Sequence, residues 1–308
     1  MGSELNENYV NDLKGKIEEF CKKNGYDDAI LIYYPQESPM TELSVDMLYE
    51  FVRKNIVKSL EDKEPKKLDK LAVLLHSYGG DASSAYLMVK LLREIANEIH
   101  GYVPSRAKSA ATLFMLGTDK IFMGPTSELG PVDPLVIYPV LGIWIPAKAM
   151  LKAIEEILPK LRVSPEAPPL TILPVDPAHI GLCHLAIEDS KKYTELLLRE
   201  YNLKEAKGEE IKKTVKALIE KYPSHDFALS YDECKKIGLN VEKKNIFEWS
   251  DVWDIYSIAG KIIKEIIKQI KAEAKVKNEK KLKEVLRRLS PFIIASKDAF
   301  DFYTQESY

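Results

Sequence analysis

The chain has 308 residues, with 45 lysines and arginines against 47 aspartates and glutamates, for a net charge of −2. That balance excludes the basic excess on which nucleic-acid binders rely. A hydrophobic share of 45% beside 30% charged residues excludes a disordered chain and implies one large or two small folded domains.

In chain order, Val10, Leu13, Ile17 and Phe20 fall on one helical face, which predicts a helix that Gly25 stops. Ala29–Tyr34 is a short β-rich apolar run, a buried strand. Ser44 is placed to cap a helix running to about Leu60, and the polar stretch 61–70 reads as a loop. A second buried strand is expected over Leu71–His76, then a glycine turn and a helix from about Asp81 to His100. A third strand near Gly101–Val103, a helix from about Ser109 and a fourth strand over Lys120–Gly124 complete the rhythm. Strand–turn–helix units of this kind imply an α/β fold with right-handed crossovers and a mostly parallel sheet covered by helices. After residue 245 the pattern changes. Ile255, Ile258, Ile262, Ile266 and Ile270 make an apolar stripe at helical spacing, followed by a Lys/Glu-rich stretch and by Leu282, Val285, Leu286 and Leu289. The chain is therefore divided into a main domain over 1–245 and a helical extension over 246–308, packed on that domain or on another copy.

Two turns can carry chemistry. In Leu74-Leu-His-Ser-Tyr-Gly-Gly-Asp81 a hydrophobic strand ends in Gly79 and Gly80, and a helix begins at once with Asp81 as its N-cap. Adjacent glycines let the backbone approach a ligand and point N–H groups at it, which serves a phosphate or the oxyanion of a tetrahedral intermediate, or else makes only a structural turn. The third glycine of a dinucleotide fingerprint is missing. In Val103-Pro-Ser-Arg-Ala-Lys-Ser109-Ala-Ala-Thr-Leu, a serine sits where a strand turns into a small-residue helix. There its oxygen lies near backbone N–H groups, and it is either a nucleophile or a helix cap.

Together with Asp119-Lys-Ile-Phe-Met-Gly-Pro-Thr-Ser-Glu-Leu-Gly-Pro-Val-Asp-Pro134, these segments resemble the Clp protease/crotonase superfamily, and within it the serine dehydrogenase proteinase family, related to signal peptide peptidase A. The resemblance covers roughly residues 70–135, with support at Ser230–Val241. It implies a ClpP/crotonase-like repeated βαβ spiral and a serine peptidase acting on peptide or unfolded protein, forming homo-oligomers. Ser109 would be the nucleophile, and Gly79 or Gly80 with the N–H of Ala110 the oxyanion hole. The histidine that a Clp-type enzyme carries about 25 residues after the serine is replaced by Val132-Asp133-Pro134. A normal carboxylate is too acidic to take a hydroxyl proton efficiently, so the resemblance points to a serine–lysine dyad. Lys148 and Lys152 are the candidates, with Lys108, Lys191 and Lys192 less well placed. His76 ends the strand before Gly79 and lines the site or is a satisfied strand-end histidine, and Asp133 is a second possible lining residue.

No cofactor is implied. His179, Cys183 and His184 match no closed zinc set, and His225 reads as a loop or cap residue. Cys21, Cys183 and Cys234 lie far apart, which favours a reducing, cytoplasmic setting. The longest uncharged stretch, Pro134–Ala147, is 14 residues with three prolines, short of the ~20 apolar residues of a membrane-spanning helix, and the first thirty residues show no secretory leader. Two other functions share these motifs: a scaffold whose Ser109 is vestigial, and a crotonase-like acyl-CoA enzyme in which the same amides polarise a thioester.

Overall fold

Asp28–Tyr33 forms strand β1, buried along its whole length. Its residues alternate between two cores: Ile30 and Ile32 point into one, Ala29, Leu31 and Tyr33 into the other. A strand buried on both faces belongs in the interior of a parallel sheet covered by helices on either side, and that is its position. The computed structural model describes residues 6–57, 67–138, 142–161, 177–275 and 278–304.

Helix α1 (Glu7–Asn24) precedes β1 and ends at Gly25, whose φ of 70° is the left-handed conformation that glycine adopts without strain. After β1 come α2 (Glu42–Val52), β2 (Leu68–His76), α3 (Ala82–Ile95), β3 (Ala96–Val103), the short β4 (Arg106–Ala107), α4 (Ala110–Leu116) and β5 (Lys120–Met123). Then follow β6 (Glu128–Leu129), the hairpin β7 (Leu135–Tyr138) and β8 (Ile143–Pro146), α5 (Ala147–Leu161) and α6 (Pro177–Leu197). The chain continues through α7 (Gly208–Lys216), α8 (Tyr231–Lys236), β9 (Val241–Lys243), α9 (Ser250–Glu273) and α10 (Glu279–Leu289) to β10 (Phe292–Ala295) and β11 (Phe300–Tyr303). The main sheet runs β11-β10-β1-β2-β3-β5-β9. The five strands from β1 to β9 are parallel, and β10 and β11 add antiparallel at the edge. This is the expected α/β architecture with a mostly parallel sheet.

One face of the sheet buries α2, α3, α4 and α7 in the larger core. The other buries α1, α9 and part of α10. Ile255, Ile258, Ile262, Ile266 and Ile270 are all buried there, so the isoleucine stripe is covered by the chain's own sheet and α1. Residues 246–308 thus supply two strands to the main sheet as well as helices, where only helices were expected.

Three boundaries differ from expectation. The helix expected to reach His100 ends at Ile95, because Ala96–Val103 pairs with β2 from Leu68↔Ala96 to Leu74↔Tyr102, and ladder pairing overrides local propensity. Arg93, buried in the last turn of α3, donates to Gly117 O and Asp119 and ties α3 to the loop before β5. α2 ends at Val52 and is followed by a π-type turn over Arg53–Val57; the rest of the stretch expected to be helical lies outside the described residues. At its start, Thr41 occupies the cap position and its N–H donates to Ser44 Oγ at 3.0 Å, so Ser44 completes the cap from inside the helix.

Candidate active site

Past His76 the chain keeps pairing for one more residue. Ser77 N–H donates to Arg106 O at 3.0 Å, and Lys108 N–H donates to Ser77 O at 3.1 Å. This short parallel bridge lays the segment leading into α4 along the segment leading into α3, so the diglycine bend and Ser109 meet. A Cβ placed on Gly79 would lie 2.8 Å from Ser109 Cβ and 2.9 Å from Lys108 O, and its φ is 111°. Only glycine combines that backbone with that contact.

The bend is fixed from its other side by Met40. Met40 N–H donates to Gly79 O and Asp81 N–H donates to Met40 O, both at 2.9 Å. A Cβ on Gly80 would fall 2.2 Å from Met40 O. Asp81 then caps α3, accepting from Ser84 N–H at 2.7 Å and from the hydroxyls of Ser83 and Ser84. Burial opposes its charge, but those hydrogen bonds outweigh it and hold the carboxyl below its ordinary range. The two glycine amides differ in use. Gly79 N–H donates to Ser77 Oγ at 3.1 Å, whereas Gly80 is exposed and its N–H has no acceptor among the described residues.

Ser109 itself has φ 53° and ψ −120°, a conformation costly for any residue with a side chain, at about 1–3 kcal/mol. Its hydroxyl makes no capping bond to α4, so the helix-cap reading of this serine is not what the structure shows. The residue is half-buried, and Ala110 behind it is buried. Thr112 locks the turn: its hydroxyl donates to Ala107 O at 2.6 Å and accepts from Gly130 N–H at 2.9 Å. Gly130 packs so closely that a Cβ there would lie 2.9 Å from Lys108 Cδ and 3.4 Å from Ser109 N. Three segments, 77–80, 106–112 and 128–133, therefore converge on Ser109.

A fourth segment joins them. Leu129 and Leu229 exchange backbone hydrogen bonds at 3.0 Å in antiparallel register. The turn over 224–227 that precedes this bridge carries His225 back to Asp133, and His225 Nδ1 lies 2.9 Å from Asp133 Oδ1. The β7–β8 hairpin pairs Leu135 with Pro146, and Ala147 N–H donates to Pro134 O, which returns Lys148 to the same place. Lys148 Nζ stands 2.9 Å from Asp133 Oδ2 and donates to Tyr222 O at 2.7 Å and Ile219 O at 3.3 Å. Asp133 is 1% exposed. Its burial disfavours charge, yet the bonds from His225 and Lys148 prevail and hold its carboxyl below the usual range, so it is ionised.

The other expected residues fall elsewhere. Lys152 is 75% exposed and faces Glu156 at 4.0 Å, so the structure leaves it out of this cluster. Lys108 Nζ donates to Asp226 O at 3.0 Å and lies 3.4 Å from Glu128. Lys191 pairs with Glu220. His76 is buried among the rings of Tyr33, Tyr78 and Tyr256 and accepts weakly from Arg106 N–H. Burial, reinforced by the Arg106 charge, pushes its imidazole down to about 3, so it is neutral. Cys183 is buried against Met150 Sδ, and among the described residues no three histidine, cysteine or acidic side chains cluster as metal ligands. No helix among the described residues is long and apolar enough to cross a membrane. Local sequence marks His225 only as a loop or cap residue; the Leu129–Leu229 pairing, which joins positions a hundred residues apart, reveals its partner.

The fold and this turn define the chain as an α/β protein with a serine presented between strand and helix, beside a diglycine bend. Residues 49–283 match the profile of the ClpP-like SDH-type serine proteinases, and the chain belongs to that family. Two curated relatives come from Methanocaldococcus jannaschii. One, the uncharacterized protein MJ0137, is 31% identical over 172 residues, 55% of this chain and 52% of that protein. The other, MJ1495, is 28% identical over 170 residues, 55% of this chain and 51% of that protein. The chain thus spans about half the length of the curated relatives it matches. Among solved structures, the 1510-N membrane-bound stomatin-specific protease, in a mutant bound to a substrate peptide, aligns with a TM-score of 0.40 at 18% identity over 68% of this chain and 73% of its own. A ClpP1 mutant from Listeria monocytogenes aligns with a TM-score of 0.39 at 15% identity over 78% and 98%.

Proposed function

We propose that the chain is a serine peptidase that cleaves peptide or unfolded protein, with Ser109 as nucleophile. The observation that carries this reading is the contact of Gly79 with Ser109, made by a serine whose backbone is strained and whose hydroxyl caps nothing. A serine held on a sharp strand-to-helix turn offers its oxygen outward. The exposed Gly80 N–H and the Ala110 N–H are the candidate donors to the oxyanion that forms when Ser109 Oγ adds to a peptide carbonyl. Gly79 serves by fit, since its own N–H is engaged by Ser77.

The serine–lysine dyad has less support. Lys148 is the expected lysine closest to this reading, but its ammonium donates to Tyr222 O and Ile219 O and is ion-paired with Asp133. In that state it has no lone pair for a serine proton, and its role is to keep Asp133 ionised. Lys152 points to solvent.

Fluorophosphonate labelling tests the reading. Ser109→Ala is expected to abolish a label that Ser105→Ala retains. An unlabelled wild-type protein overturns it in favour of a scaffold, or of an acyl-CoA enzyme if an acyl-CoA binds without probe reaction.

We also propose self-association, through the exposed Ile137, Ile143 and Trp144 of the β7–β8 hairpin and Leu182 and Leu185 of α6, which packs beside it. Apolar side chains grouped in this way mark an interaction surface. A monomer by sedimentation at micromolar concentration removes this proposal.

A further inference from the structure

The cluster around Asp133 holds two basic side chains, and their hydrogen bonding separates them. Lys148 Nζ donates to Tyr222 O and Ile219 O and stands 2.9 Å from Asp133 Oδ2 as its ion-pair partner. His225 presents Nδ1 to Asp133 Oδ1 at 2.9 Å, and because Asp133 is ionised that nitrogen carries the proton. In the neutral ring the other nitrogen, Nε2, is an acceptor, and it has no partner among the described residues. The ring is 16% exposed on its side chain, so it is neither sealed in nor freely solvated. Its segment is pinned beside the serine in two ways. Leu229 bridges antiparallel to Leu129, whose neighbour Gly130 packs on Ser109 N, and Asp226 O accepts from Lys108 Nζ, the side chain next to Ser109 in sequence.

We propose that His225, oriented by Asp133, is the proton acceptor for Ser109, taking the place that the sequence pattern gives to a lysine. The proposal rests on the serine-peptidase reading above. As Ser109 Oγ bonds to the substrate carbonyl carbon, its proton passes to His225 Nε2, directly or through one water, and the carbonyl π pair moves onto the oxyanion. When the C–N bond breaks, the imidazolium returns that proton to the leaving amine. A water then gives a proton to Nε2 as its oxygen attacks the acyl carbon, and the proton goes back to Ser109 Oγ as the C–O bond breaks. Asp133 stays ionised throughout and serves as a positioning residue, with Lys148 as its counter-ion. The order along the chain, Ser109, Asp133, His225, is fixed by the fold and not by any local motif.

His225→Gln is the discriminating variant. The glutamine amide still donates to Asp133, but it cannot take a proton. The expected result is a fluorophosphonate labelling rate at pH 7 reduced roughly 10²–10⁴-fold, with the urea midpoint unchanged. The wild-type protein gives a second measurement that does not depend on the variant folding. Its labelling is expected to be slower in deuterated than in ordinary water, because the serine proton moves to Nε2 as Ser109 Oγ attacks. The charged groups facing that imidazole are Asp133 in contact, Lys148 across it, and Lys108 at the neighbouring Asp226 carbonyl. Wild-type labelling that persists at the same rate in His225→Gln, or a wild-type rate unchanged in deuterated water, overturns the inference and leaves Ser109 standing. A wild-type protein that is not labelled at all overturns both.

Discussion

Replacing Gly79 by alanine adds one methyl group where the structure has no room for it. The new Cβ would meet Ser109 Cβ at 2.8 Å and Lys108 O at 2.9 Å. Neither is the far end of a flexible side chain: one is the first side-chain carbon of Ser109 and the other is backbone held in the bridge to Ser77. The φ of 111° adds strain of about 1–3 kcal/mol for a residue with a Cβ, and the overpacking adds about 1–3 kcal/mol. A loss of about 2–6 kcal/mol follows from these two contributions together. With an m-value near about 3 kcal/mol/M, even the lower bound moves the urea midpoint by about 0.7 M. Gly15→Ala is the matched control. Gly15 lies within α1, with nothing within 4 Å of the place its new methyl would take, and the same chemical change there stabilises by about 0.5–1 kcal/mol. Labelling of Ser109 is expected to fall about 10²-fold or more in Gly79→Ala, because displacing a nucleophile by a fraction of an ångström to one ångström has that effect. A Gly79→Ala protein that unfolds at the wild-type urea concentration and labels at the wild-type rate refutes the placement of the bend against the serine.

Other substitutions read other parts of the structure. Ser109→Gly relieves a positive φ, so it is expected to be more stable than Ser109→Ala by about 1 kcal/mol or more in urea unfolding while both are inactive; equal stability contradicts the strain. Lys148→Met leaves the buried Asp133 charge without its cation, at a cost of about 3 kcal/mol at pH 7. Because Asp133's folded pKa is depressed, its stabilisation is present above the unfolded value of about 3.9 and is lost as pH falls through the folded value. The wild-type protein therefore loses that stability in acid, and Lys148→Met is expected to show a shallower acid limb. Asp28 has the opposite sign. Burial pushes its carboxyl up to about 6, so the protonated form favours folding below the unfolded value, and that contribution disappears as pH rises through about 6. Asp28→Asn is expected to raise the urea midpoint at pH 8 but not at pH 4, and no difference between the two pH values refutes the burial argument.

The sequence disclosed what lies close together along the chain. Ala29–Tyr34 and Leu71–His76 read as buried strands and Lys120–Gly124 as a further strand, because runs of apolar residues between turn signals leave little choice, and each is a strand of the parallel sheet. The diglycine bend and Ser109 were also visible, since each sits at a strand-to-helix junction marked by its own residues. The edge strands β10 and β11 were not. Phe292–Ala295 and Phe300–Tyr303 are four-residue strands behind a long helical stretch; the first is set by pairing with β1 more than 250 residues earlier, and the second by pairing with the first. The end of α3 is hidden for a related reason: nothing in Ala96–His100 opposes a helix until β2 is beside it.

The chemistry of the site shows why spacing rules gave out there. Counting from Ser109, a search for a base at a fixed separation meets Asp133, which is the wrong residue type to take a hydroxyl proton, and the nearest lysines then become attractive. Yet a carboxylate that is 1% exposed must be paired or hydrogen-bonded to remain in the interior. The informative question is therefore what stands opposite it, and the answer depends on the Leu129–Leu229 bridge and on the turn over 224–227 that carries His225 to Asp133. A lysine that also donates to two carbonyls has the properties of a fixed counter-ion, whereas an imidazole with one nitrogen held and the other open has those of an acceptor. The sequence supplies all three side chains without ranking them. It is the direction of each donated proton, fixed by pairings remote in the chain, that assigns the lysine to holding charge and the histidine to moving it.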